Sequence, residues 1–249
     1  MGDQAVMGPE QIVVPPCGLD YEKRMAISEF KGLDWKKDGT KELAVQFSRA
    51  TGFKETGMSV GEVALLYDCL ELMGPGHIVE LGRNYGTSTR LFIQHVLRHG
   101  GSLESWDLKH WDGFLDGMEA IGYSFMERNG AQDYELVHVD GAGGLPEGAV
   151  RLKVAHSITT PTGRDDRFVK FLLIDTEHGL EHALGEYMRW REYLQSGAYV
   201  AFHDFGLPAV ARAVELVKEV ELSHEGRISK EFVMEQPDGF GISVLRWGG

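Results

Sequence analysis

Carboxylates, imidazoles and glycines meet at four places in this chain where their types and spacing could do chemistry. In the first, the apolar run Ile78-Val79 leads into Glu80 and then through Gly82, Arg83, Asn84, Tyr85 and Gly86 to Thr87 and Ser88. Glycines at such a point let the backbone approach a ligand closely, and a helix beginning there would aim free N–H groups at it. In the second, Trp106-Asp107 closes another apolar run, where a carboxylate can accept hydrogen bonds from ribose hydroxyls. The third is Asp175-Thr176-Glu177-His178 and the fourth is His203-Asp204. These two supply the groups of proton transfer and of hard-metal binding. Asp140 and Gly141 end a further run in the same manner.

The elements that must position these residues follow a regular beat. Short apolar runs read as strands at 77–81, 102–107, 134–139, 169–174 and 198–203. Helical patterns read at 87–98, 112–128, 179–194 and 208–222, and the capping pattern Ser59-Val60-Gly61-Glu62 opens a helix that ends near Gly74-Pro75-Gly76. Strands alternating with helices mean βαβ units and a parallel sheet. Residues 230–236 and 240–247, joined by Pro237-Asp238-Gly239, read as an antiparallel hairpin that closes the sheet edge. Residues 141–167 are too long for a plain connection and read as an insertion. The domain is expected to span 58–249, with 1–57 an N-terminal arm or cap.

This arrangement puts every chemical cluster at a strand's carboxyl end, where open parallel sheets bind ligands. Neighbouring strands lie about 4.8 Å apart. If the fourth and fifth strands are neighbours, Asp175, His203 and Asp204 surround one point with two carboxylates and an imidazole, a donor set for a hard divalent ion.

The glycine turn excludes some ligands. No Lys follows Gly86, so a P-loop is absent, and the spacing from Gly82 to Gly86 departs from the dinucleotide pattern Gly-x-Gly-x-x-Gly. Glu80 would repel a pyrophosphate but suits a sulfonium or ammonium, and charge complementarity points to S-adenosylmethionine.

Composition narrows the partners. The 249 residues carry 38 Asp and Glu against 25 Lys and Arg, a formal charge of −13 that disfavours nucleic acid and anionic lipid. No apolar run approaches the roughly 20 residues of a membrane span. Cys17 and Cys69 form no C-x-x-C pair, which suits a reducing, cytoplasmic setting. The start of the chain lacks an export pattern, and Val6 stands where a myristoylation signal has Ser or Thr. The sequence is compatible with a homo-oligomer.

Taken in order, Glu80-Leu81-Gly82-Arg83-Asn84-Tyr85-Gly86-Thr87-Ser88, Trp106-Asp107, Val139-Asp140, Leu173-Ile174-Asp175-Thr176-Glu177-His178 and Ala201-Phe202-His203-Asp204 resemble the class I S-adenosylmethionine-dependent methyltransferases. More narrowly, they resemble the small-molecule O-methyltransferases related to macrocin O-methyltransferase. The resemblance covers roughly Met58 to Phe205. It implies an α/β, Rossmann-like, seven-stranded, mostly parallel sheet of order 3-2-1-4-5-7-6 with helices on both faces.

It also implies roles for residues. Glu80, Gly82, Arg83, Asn84, Tyr85, Gly86, Thr87, Ser88, Asp107, Asp140 and Gly141 would hold S-adenosylmethionine. Asp175, His203 and Asp204 would hold Mg²⁺ in metal-dependent members; His203 departs from the usual Asp or Asn pattern and raises the case for Mn²⁺ or for no metal. Glu177 would act as base beside Asp175, with His178 orienting the hydroxyl of a small-molecule acceptor or sharing its proton. Two other readings stand beside this one. One is a non-catalytic binding or assembly protein on the same fold, and the other is a zinc peptidase built on His178-Gly179-Leu180-Glu181-His182.

Overall fold

The computed structural model describes residues 10–14, 58, 60–109, 113–120, 122–128, 130, 133–140, 145–159, 168–223, 227–235 and 241–248. Ten strands among them are β1 (Glu10–Val14), β2 (Gly76–Leu81), β3 (Gly101–Asp107), β4 (Tyr123–Arg128), β5 (Asp133–Val139), β6 (Val150–Val154), β7 (Val169–Ile174), β8 (Leu194–His203), β9 (Ile228–Glu235) and β10 (Gly241–Trp247). The helices are α1 (Val60–Met73), α2 (Thr87–His99), α3 (Phe114–Glu119), α4 (Leu180–Trp190) and α5 (Pro208–Ser223).

The strands form one sheet in the order β1-β9-β10-β8-β7-β2-β3-β6-β5-β4. Its centre, β8-β7-β2-β3-β6, is parallel throughout. Parallel strands covered on both faces read as nearly unbroken apolar runs, and Phe171-Leu172-Leu173-Ile174 is such a run. Its alternate residues serve opposite cores: Phe171 and Leu173 pack with Leu66, Leu70 and Phe92 from α1 and α2, while Leu172 and Ile174 pack with Tyr187, Trp190 and Val214 from α4 and α5. Helix α4 buries Ala183, Tyr187 and Trp190, spaced four and three apart, along the stripe that meets the sheet. Among the described residues no helix is long and apolar enough to cross a membrane.

The mostly parallel α/β sheet with helices on both faces agrees with the fold read from the sequence, and so does the antiparallel β9–β10 hairpin. The sheet has ten strands among the described residues where seven were expected, and three further details differ. The strand beside β3 is Val150–Val154, inside the expected insertion, and not Tyr134–Val139. Val150 and Leu152 are buried while Arg151 and Lys153 are not, the period-2 pattern of a strand. Second, Tyr134–Val139 lies further out, antiparallel to both β6 and β4, with Val137 and His138 exposed. Third, the helix expected over 112–128 ends at Glu119. Gly122, at φ +90°, turns the chain into β4, where its carbonyl accepts the amide of Asp140 at 2.8 Å.

Glu10–Val14 falls in the segment read as an arm, and it adds a parallel strand beside β9. The remainder of 1–57, apart from these five residues, lies outside the described residues, as do Gly141 and most of 159–167.

The exit of β2 is the tightest point in this architecture. Gly82 sits at φ +87°, and a Cβ there would collide with the backbone carbonyl of Asp175 at the exit of β7. Gly74 shares the left-handed backbone at φ +66° but has open space around it. Gly74→Ala should therefore cost only the backbone term, about 1–2 kcal/mol. Gly82→Ala should cost about 3 kcal/mol or more, because neither strand exit can yield. Urea unfolding of the two variants checks this, and equal losses would show that the strand exits have slack.

Candidate functional site

The carboxyl ends of β2, β3, β6, β7 and β8 open onto one cavity of about 680 Å³, within the 300–1,000 Å³ usual for small-molecule sites. Its floor is the turn from β2 to α2. Gly82 donates its amide to Trp106 O at 2.8 Å, and Gly86, at φ +83°, donates to Arg83 O at 2.8 Å. A Cβ on Gly86 would run into the ring of Phe114. Asn84 also has a positive φ, +44°, which Asn tolerates better than most residues.

Asp107 fixes the turn from β3. Its Oδ2 accepts the amides of Arg83 and Asn84, each at 3.0 Å. Its Oδ1 accepts the amide of Lys109 at 3.5 Å, and the residue lines the cavity, where a carboxylate can take hydroxyl donors.

Glu80 occupies a different place from the one its type suggested. It is 0% exposed and sits behind the turn, where its carboxylate accepts the hydroxyls of Ser88, Thr89 (2.7 Å) and Ser105. Burial pushes its pKa up to about 7, against the pull of those hydrogen bonds and of Arg83. Arg83 is buried as well, its guanidinium donating to Ser105 O at 2.7 Å and Lys153 O at 3.1 Å. Burial lowers its pKa to about 10. The charge of Glu80 is therefore spent on the turn, not presented directly to a ligand.

Across the cavity, Asp175 leaves β7 and Asp204 leaves β8. Ligand atoms of Asp175, His178 and Asp204 lie within 4.8 Å of one another, a grouping that could hold a divalent ion. His178 Nε2 lies 2.6 Å from Asp204 Oδ2. Asp204 sits at φ +55°, a backbone strain that such sites retain when their surroundings fix it.

His203 lies beneath the pair. Its Nδ1 donates to Asp175 Oδ1 at 2.8 Å and lies 3.4 Å from Asp204 Oδ2, while Nε2 lies 3.4 Å from Glu62 Oε1 of α1. Burial works against its charge, but Asp175 foremost, with Asp204 and Glu62, raises its pKa well above the ordinary value. Burial also raises the carboxyl of Asp175, with His203 opposing it. For Asp204 the balance reverses: burial is outweighed by the contacts of His203 and His178, and its pKa falls.

The grouping seen in the structure differs from the expected set in one member. Both nitrogens of His203 face carboxylates, whereas a nitrogen of His178 lies with the oxygens of Asp175 and Asp204. Glu177 lines the cavity at its rim, 76% exposed, with Oε2 3.4 Å from His182 Nδ1. Asn84, Tyr85, Thr87 and Ser88 also line the cavity.

Asp140 does not join them. Its side chain is 78% exposed and paired with His138, because β5 is displaced outward by β6. The loop after β6, Ala155-His156-Ser157, lines the cavity instead. Sequence reasoning also missed Glu62 and Glu186. Glu186 is fully buried, accepts the hydroxyls of Ser157 and Thr176 (2.7 Å), and so ties the loops after β6 and β7 to α4. The alternation in Val150-Arg151-Leu152-Lys153-Val154 was the signal that could have revealed the β6 loop.

The peptidase motif does not assemble. His178 precedes α4 and faces Asp204, whereas His182 is on α4 and faces Glu177 and Glu186, at 3.4 and 3.3 Å. The two imidazoles serve different carboxylates and not one metal.

A family model described as a methyltransferase domain matches residues 79–205, from β2 through the turn after β8. Solved structures share the fold at low identity. An O-methyltransferase from Bacillus cereus in complex with SAH aligns over 92% of this chain and 96% of its own, with TM-score 0.56 and 15% identity. The O-methyltransferase NovP aligns over 81% and 88%, with TM-score 0.55 and 13% identity. The O-methyltransferase TomG from Streptomyces achromogenes, in complex with SAM, aligns over 83% and 88%, with TM-score 0.50 and 14% identity. No curated protein matches the sequence.

The raised pKa of Glu80 fixes a pH dependence. Between its ordinary value and about 7 the folded protein keeps a proton that the unfolded chain releases. The stability from this group is fully present below about pH 4.5 and is lost as pH rises through about 7. Wild type should lose about 2 kcal/mol between pH 5 and pH 8 through Glu80. Glu80→Gln should lack that component, as urea unfolding at the two pH values would show; parallel losses in both proteins would contradict it.

Proposed function

The chain belongs to the methyltransferase-domain family, and from that premise we propose that it moves the methyl group of S-adenosylmethionine to a hydroxyl of a small molecule, with a divalent cation assisting. One observation carries the reading: the glycine turn, the carboxylate of Asp107 and the Asp175–His178–Asp204 cluster share a single cavity. The bound SAH and SAM of the Bacillus cereus and Streptomyces achromogenes structures support the same choice of cofactor.

In this reading the nucleoside lies over Gly82–Ser88, with Asp107 Oδ1 taking the ribose hydroxyls and the loop after β6 covering the base. The methyl carbon leaves sulfur and bonds to the acceptor oxygen, and that oxygen gives up its proton. In-line placement of sulfur, carbon and oxygen supplies much of the rate in such transfers. Asp175, His178 and Asp204 would hold the cation, which lowers the pKa of the acceptor hydroxyl. His203 keeps the two aspartates turned toward the cavity. Glu177, at the solvent rim, receives the proton and passes it to water. The formal charge of −13 supports a small acceptor over nucleic acid.

The 2.6 Å contact of His178 with Asp204 favours a second reading, in which this pair is itself the general base. Chelation separates the two. Loss of methyl transfer on chelation, restored by Mg²⁺ or Mn²⁺, supports the cation; transfer that survives chelation but fails in His178→Ala supports the dyad.

Calorimetry with S-adenosylhomocysteine should show one site, weakened roughly tenfold or more in Asp107→Ala by loss of a hydrogen bond to a charged acceptor. A chain that binds no such nucleoside is not this enzyme. Asp204→Asn should bind the nucleoside as wild type does, yet transfer labelled methyl to a panel of hydroxyl acceptors roughly 10²–10⁴-fold more slowly. An unchanged rate would remove Asp204 from the mechanism.

A further inference from the structure

A second group of metal-binding side chains lies outside the cavity, where the C-terminal ends of α1 and α2 meet. Glu71 is in the last turn of α1, and His95 and His99, four residues apart, share one face of α2. A carboxylate oxygen of Glu71 and one nitrogen from each histidine lie within 4.8 Å of one another. His99 Nε2 is 2.9 Å from Glu71 Oε1, and the two imidazole centroids are 4.6 Å apart. None of the three lines the cavity.

His95 carries the argument. It is only 5% exposed, and its Nε2 donates to Gly74 O at 3.0 Å. That bond fixes the tautomer: Nε2 bears the proton and Nδ1 bears the lone pair. Nδ1 is buried and has no hydrogen-bond partner, an uncommon condition for a buried polar atom. An imidazole held by a backbone carbonyl through one nitrogen, with the other free, has the arrangement of metal-ligating histidines.

We propose that Glu71, His95 and His99 form a divalent-cation site, with zinc as its occupant, that clamps α1 to α2. Two nitrogens and one carboxylate oxygen favour zinc over magnesium or calcium, which take oxygen donors. Glu71 and His99 are partly exposed, which leaves room for water as the fourth ligand. The competing cation is Arg98, 3.9 Å from Glu71 Oε1; it also donates to Tyr67 Oη at 3.0 Å, a bond it can keep when the carboxylate turns to a metal.

The test uses the full chain carrying Asp204→Asn, which disables the cluster in the cavity. After chelation, titration with Co²⁺ should give one equivalent with the visible bands of tetrahedral coordination, displaced by Zn²⁺, and Zn²⁺ should raise the melting temperature. Adding His99→Ala should abolish the bands and the thermal shift and weaken Zn²⁺ binding by at least the roughly 10–100-fold that disturbing a ligand's outer partner costs. Glu71→Gln, at a more exposed position, serves the same purpose if His99→Ala does not fold. No binding in the Asp204→Asn chain, or binding unaltered by His99→Ala and Glu71→Gln, would overturn the proposal and leave the methyl-transfer reading untouched.

Discussion

The buried carboxylate of Glu80 is the interaction on which the ligand-binding end of the sheet depends. It collects hydroxyls from Ser105 on β3 and from Ser88 and Thr89 at the start of α2, so one side chain joins two strands and a helix. Removing any hydroxyl would leave a buried carboxyl oxygen short of a partner in a dry interior, which is costly. With Arg83 bonded to the carbonyls of Ser105 and Lys153, the same core reaches β6. The turn is held from beneath by Glu80 and from above by Asp107, which accepts the amides of Arg83 and Asn84, so its shape is set before a ligand arrives. That is the preorganisation on which binding without a large ordering penalty rests.

The opposite wall uses the same economy in reverse. There a buried cation, His203, is surrounded by carboxylates: Asp175, Asp204 and Glu62. Glu62 stands on α1 and Asp175 and Asp204 leave β7 and β8, so His203 ties the helix layer to both strand exits. A lone buried imidazolium would be expelled or neutralised, and lone buried carboxylates likewise; each is tolerable because of the others. The strained backbone at Asp204, φ +55°, is kept by these contacts.

Much of this was legible in the sequence, and the failures have physical causes. The central strands declared themselves because strands covered on both faces must be apolar throughout, as in Phe171–Ile174. The turn declared itself because only glycine fits at Gly82. That Asp107, Asp175 and Asp204 line one cavity followed from their place at strand ends. The edge of the sheet was harder. Tyr134–Val139 looked like the third strand because it is apolar and long, whereas Val150–Val154 is short and half polar. Which of two strands pairs with β3 is decided by tertiary packing, not by local pattern, and that choice moved Asp140 out of the cleft and brought in His156 and Ser157. The role of Glu80 was misassigned because sequence gives the charge but not the side of the turn on which it lies. On β2 the period of two places Glu80 with Ile78, toward α2 and away from the cavity. His203 was grouped with Asp175 and Asp204 by its type; that its two nitrogens face three carboxylates is visible only in the tertiary structure.

The charge inside the second wall has a further consequence. With their carboxyls ionised, Asp175, Asp204 and Glu62 contribute three negative charges and His203 one positive, leaving two negative charges in a largely buried cluster. Electrostatic interactions there are far less screened than at the surface. Such an excess is tolerable in two ways: a carboxyl takes up a proton, or positive charge arrives from outside. Burial already pushes Asp175 toward the first, while Asp204, which faces His178, is held in its ionised form. The two aspartates are thus unequal although they share His203, and the one whose charge is secure is the one with a strained backbone and a partner at the cavity wall. Of the two, Asp204 is the residue whose charge the imidazoles of His203 and His178 favour, and Asp175 is the one that burial disposes toward a proton.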